Sequence, residues 1–101
     1  MRNGVSTKIS SLKKLKVLVV TTTNMTAVPD EIGQMQSLQS LDLSYNNLNS
    51  LPASIKNLSD TLKELNISGN PMTRSEANYI KQMLPNTTVI AKDLVTSEGP
   101  R

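Results

Sequence analysis

One pattern of leucines, written three times, constrains this chain more than any other feature. Leu15-x-x-Leu18-x-Val20-x-x-Thr23-x-Met25-x-x-Val28-Pro29-x-x-Ile32-x-x-Met35 is the first copy. Leu38-x-x-Leu41-x-Leu43-x-x-Asn46-x-Leu48-x-x-Leu51-Pro52-x-x-Ile55-x-x-Leu58 is the second. The third, Leu62-x-x-Leu65-x-Ile67-x-x-Asn70-x-Met72, breaks off after its first half. The copies start 23 and then 24 residues apart. A period of this length marks a solenoid, in which each unit covers its apolar face with the next. The apolar residues suit such a stack: Phe and Trp are absent, and Tyr45 and Tyr79 are the only aromatics.

Each Leu-x-x-Leu-x-Leu stretch alternates with the two-residue period of a strand. Leu18 and Val20, Leu41 and Leu43, and Leu65 and Ile67 then point inward. Successive copies lie side by side as a parallel sheet, about 4.8 Å apart. Parallel strands need a crossover to return the chain, and the Pro-x-x-Ile-x-x-Leu half supplies it. Pro29 and Pro52 suit the first turn of a short helix, where a missing N–H costs nothing. Asp30 and Glu31 suit a helix N-terminus. Asn46 and Asn70 follow the strands, where their amides can bond turn backbone that neither strand nor helix satisfies. Thr23 holds this place in the first copy with one hydroxyl, so its rung should be weaker, with Asn24 beside it as a compensating group.

The two ends differ. Ile9-x-x-Leu12-x-x-Leu15 repeats the spacing of Ile32-x-x-Met35-x-x-Leu38, so residues 1–14 read as a partial repeat or a minimal cap. Repeats follow at 15–37 and 38–61. Residues 62–90 combine a third repeat with a terminal cap. Within it, Thr73 and Glu76 form a capping box, Ala77, Ile80 and Leu84 recur at helical spacing, and Thr87 to Ile90 read as a closing strand. Residues 91–101 are polar and read as a disordered tail.

These motifs resemble the leucine-rich repeat superfamily over roughly Ile9 to Ile90, with Thr23 the main departure. The 23-residue length looks like a subclass common in intracellular eukaryotic scaffolds and bacterial proteins. The resemblance implies an α/β, right-handed solenoid with a parallel concave sheet, short helical or 3-10 crossovers and a C-terminal capping helix. It also implies a non-enzymatic module that binds another protein through the concave face. Cys-rich caps of the extracellular subclass are absent, which favours the cytoplasm and leaves secretion open.

The composition agrees with a binding role. Without Cys or His, thiol nucleophiles, imidazole bases and Cys/His zinc sites are excluded. The chain shows no Gly-rich phosphate loop, and no cofactor or metal is expected. No apolar run approaches the roughly 20 residues that cross a bilayer. Net charge is +3, with Arg2, Lys8, Lys13, Lys14 and Lys16 preceding any acidic residue. A basic patch attracts nucleic acid or anionic lipid, but no aromatic is interleaved for base stacking. A solvated face is the expected outcome.

If the leucines point inward, Val17, Val19, Thr21, Thr22, Ser40, Asp42, Ser44, Tyr45, Glu64, Asn66 and Ser68 face the binding side. Val19, Asp42 and Asn66 form one row across the sheet. Tyr45 reads either as a binding hot spot or as a cover over neighbouring turns. Val17 and Val19 read as an aliphatic patch or as strand formers. Asp42 and Glu64 lie on an open sheet and lack the cleft that paired acid–base carboxylates need. Two further readings stay open. One is a homodimer joined through the N-terminal end, where Ile9, Leu12, Leu15 and Leu18 have no preceding strand. The other is the repeat segment of a larger enzyme.

Overall fold

The computed structural model describes residues 14–94. The three leucine stretches form short strands β1 (Val17–Val19), β2 (Ser40–Asp42) and β3 (Glu64–Asn66), and β4 (Thr88–Ile90) follows the last helix. They lie in one parallel sheet in the order β1-β2-β3-β4. Leu18, Leu41, Leu65 and Val89 occupy one register row, so the inward leucines stack on one another. Leu41, Leu43, Leu65 and Ile67 are buried to within 1%. At β1 the packing is looser, because Leu15 and Leu18 are only partly buried.

Both crossovers are 3-10 helices, Asp30–Gln34 and Ala53–Leu58. Pro29 and Pro52 stand one residue before the first turn, both with ψ 151°. Their carbonyls accept the first turn's bonds from Ile32 and Ile55 N–H at 3.0 Å. The ring fixes φ, and the acceptor at this position needs no N–H of its own. Ile32, Met35, Ile55 and Leu58 are fully buried. The two 3-10 segments touch closely at Gly33, where a Cβ would come within 2.6 Å of the Ser54 carbonyl oxygen. Ser54 Oγ donates to the Asp30 carbonyl at 2.7 Å and ties the segments together.

The third repeat replaces its crossover with α1 (Arg74–Met83). Thr73 caps it, its hydroxyl oxygen accepting the Glu76 N–H at 3.0 Å. Ala77, Ile80 and Leu84 bury their side chains against the last layer. Thr87 Oγ1 then donates to the Leu62 carbonyl at 2.8 Å, and β4 begins.

Beyond β4, the described part of the segment that composition reads as a tail, residues 91–94, stays in contact with the preceding turn. Gly69 N–H donates to the Lys92 carbonyl at 2.9 Å, and Lys92 N–H donates to Ser68 Oγ at 2.9 Å. Ala91 and Leu94 pack against the core. Polar composition concealed this because the Lys92 bonds use its backbone N–H and carbonyl, which the side chain does not reveal. The remainder of that expected tail, 95–101, and the partial repeat at Ile9 and Leu12 lie outside the described residues.

Candidate functional site

The surface available for recognition is set by what the turns behind the strands consume. Asn46 is buried, and its Oδ1 accepts Thr23 N–H and Thr23 Oγ1–H at 2.9 Å and Met25 N–H at 3.3 Å. Its Nδ2 donates to the Val20 and Leu43 carbonyls at 2.8 and 3.0 Å. Asn70, fully buried, does the same one repeat later. It accepts from Asn46 and Leu48 N–H at 3.2 and 3.1 Å and donates to the Leu43 and Ile67 carbonyls at 3.0 and 2.9 Å. Each asparagine therefore reaches back and satisfies the preceding turn. Thr23 spends its hydroxyl forward on Asn46. Asn24 does not compensate within the turn: it is exposed, and among the described residues its Oδ1 meets only Asn47 Nδ2, at 3.5 Å.

The residue before each of these positions adopts left-handed backbone: Thr22, Tyr45 and Gly69 at φ 57°, 57° and 70°, with Asp93 at 54° in the equivalent place. Tyr45 turns its ring over Gly69, where an added Cβ would lie 2.3 Å from the ring. Its hydroxyl donates to Asp93 Oδ2 at 3.0 Å. That hydrogen bond, then the Asp93 charge, then partial desolvation raise the Tyr45 pKa above its ordinary value of 10.0. Tyr45 is 52% exposed, yet one face and its hydroxyl are committed to neighbouring turns. The reading as a cover over turns describes this geometry. Its partner Asp93 escaped sequence reasoning, because the segment holding it carries no repeat consensus.

The open side of the sheet carries the expected rows. Val17, Ser40, Glu64 and Thr88 form one, and Val19, Asp42, Asn66 and Ile90 the next. Val17 and Val19 are 57% and 61% exposed. Ser40, Asp42 and Asn66 are partly exposed, and Glu64 is exposed. Beyond the strands, Thr21 is partly exposed and Thr22 exposed, their hydroxyls 3.3 Å apart.

Ser44 and Ser68 do not present side chains to this face, because both are buried, at 5% and 4% exposure. Ser44 Oγ donates to Asp42 Oδ1 at 2.6 Å, and Ser68 Oγ accepts from Lys92 N–H. Asp42 Oδ1 also accepts Ser44 N–H at 3.0 Å, just as Asn66 Oδ1 accepts Ser68 N–H at 3.0 Å. These small bends after the strand fix both outward side chains. Thr88 and Ile90 join the face through β4, whose register was not assigned from sequence. Among the described residues no group of three or more His, Cys, Asp or Glu is placed to hold a metal. No helix there is long and apolar enough to cross a membrane.

A parallel one-sheet solenoid, with an asparagine ladder and 3-10 returns, defines the class of protein. Residues 13–72 match the family model described as Leucine rich repeat, and the chain belongs to that family. It is 42% identical over 57 residues to the leucine-rich repeat and calponin homology domain-containing protein of Drosophila melanogaster, covering 55% of this chain and 7% of that protein. A solved leucine-rich repeat protein of Leptospira interrogans superposes with a TM-score of 0.81 at 34% identity. That match covers 84% of this chain and 21% of the other. The chain thus spans less than a quarter of either relative.

Proposed function

We propose that this chain is a non-enzymatic protein-binding module that engages its partner through the open, concave face of the sheet. The observation that carries this reading is the exposure of Val17 and Val19, at 57% and 61%, on a strand whose inward residues face the core. Aliphatic side chains left in water on a fixed platform gain about 25 cal/mol per Å² when a partner covers them. Repeat proteins of this family are commonly interaction modules, which agrees. Four strands at about 4.8 Å spacing span only some 15–20 Å. A standard interface takes roughly 800 Å² per partner, so the face contributes one part of a larger contact.

Site-specific photo-crosslinking tests the reading. A benzoylphenylalanine at Val19 is expected to capture protein adducts from native lysate, and the same probe at Tyr79, on the far side of α1, is not. Equal labelling from both positions would refute a face-specific role.

The partly buried Leu15 and Leu18 support a second reading. Their repeat equivalents Leu38, Leu41, Leu62 and Leu65 are buried to within 1%. A second copy docked against β1 would complete their burial. Light scattering over a concentration series is then expected to show a dimer, and a monomeric mass throughout would dismiss it.

A further inference from the structure

We propose that the partner segment recognised by the open face carries a lysine or arginine next to an aliphatic side chain. This rests on the binding reading above and specifies its chemistry. The chain as a whole carries a net charge of +3. The outward positions of the four strands reverse that sign: they hold two carboxylates, Asp42 and Glu64, and no lysine or arginine. Lys16 and Lys63, both exposed, stand just before β1 and β3, and Lys92 follows β4, three strands from Val19. The register places Asp42 directly beside Val19 and Glu64 two strands from Val17. Those offsets are about 5 and 10 Å, within the reach of one extended segment.

Asp42 is also pre-oriented. Two donors from Ser44 hold its Oδ1, so the carboxylate is fixed before any partner arrives and loses little freedom on binding. Charge complementarity of this kind governs specificity and association rate more than raw affinity. A neighbouring aliphatic contact supplies the apolar part. An acidic segment would place like charges opposite Asp42 and Glu64 and be rejected.

A phage-displayed library of random peptides, selected on the immobilised protein, tests this with no partner in hand. Enriched clones are expected to combine Lys or Arg with Val, Ile or Leu. A synthetic copy of the leading clone should bind Asp42→Asn and Glu64→Gln about three- to fivefold more weakly each, with affinity falling as salt rises. Asp42→Asn keeps the acceptor that Ser44 needs, as Asn66 does for Ser68 in the next repeat, so the fold is preserved. Peptides lacking a cation, or insensitive to both variants but weakened by Val19→Ser, would overturn the charge proposal while leaving the face reading intact. No binder that depends on Val19, Asp42 or Glu64 would overturn both.

Discussion

Asn70 is fully buried and makes five bonds within 3.2 Å, three of them to the preceding repeat. Its removal leaves the N–H groups of Asn46 and Leu48 without that acceptor inside the core. Stranding buried donors costs about 1–3 kcal/mol each, less what relaxation recovers. Asn70→Ala is therefore expected to lose roughly 2–4 kcal/mol in urea unfolding. Thr23→Val removes one hydroxyl from an acceptor that retains two N–H donors, and about 1 kcal/mol is expected. Equal losses would contradict the backward-reaching ladder. This much could be read from residue identity, since an amide is the side chain that both donates and accepts at that place. The role of Tyr45 could not, because it depends on the smallness of Gly69 one repeat away and on Asp93 beyond the last consensus position. Titration reports that contact. A native pKa raised above the unfolded one favours neutral phenol in the fold, so the linked stability is present below pH 10 and lost as pH rises through the native value. In a Tyr79→Phe background, Asp93→Asn should move the phenolate absorbance transition of Tyr45 downward; an unchanged midpoint would remove Asp93 as the cause.

At the scale of elements, the strands are only three residues long, so the crossovers decide how closely successive repeats stack. Gly33 is where they meet. A methyl there would press within 2.6 Å of the Ser54 carbonyl oxygen and 2.8 Å of its Cβ, atoms that cannot swing aside. Gly33→Ala should cost about 1–3 kcal/mol, read as a lower urea midpoint. A neutral result would mean that the two 3-10 segments slide freely. Leucine spacing and proline placement made the strands and returns legible in the sequence. The glycine contact was not legible, because residue 33 occupies an unconstrained x position in the repeat and its neighbour lies 21 residues away. The open face divides the same way. Alternation identified its outward positions on β1 to β3, but Ser44 and Ser68 fall just past the strands, where the chain bends and alternation no longer reports direction.

For the molecule as a whole, the question is whether the cap and the repeats form one cooperative unit. A single set of buried residues runs from Val20 to Leu84, so each layer rests on the next. Solenoid stability is approximately a sum of repeat and nearest-neighbour terms, and a stack this short has few interfaces at which to break. The two tyrosines offer probes at different places. With no Trp present, Tyr45 reports the second repeat and Tyr79 the cap helix. Ile80 is fully buried beneath α1, and Ile80→Ala should cost about 2–5 kcal/mol through lost burial and the cavity left behind. If the layers are coupled, each tyrosine, followed separately in the Tyr79→Phe and Tyr45→Phe backgrounds, should unfold at one shared midpoint. Ile80→Ala would then move both midpoints down together. A Tyr79 transition that precedes the Tyr45 transition would show instead that the cap opens alone. The last layer, Leu62, Leu65 and Ile67, would then be intermittently exposed.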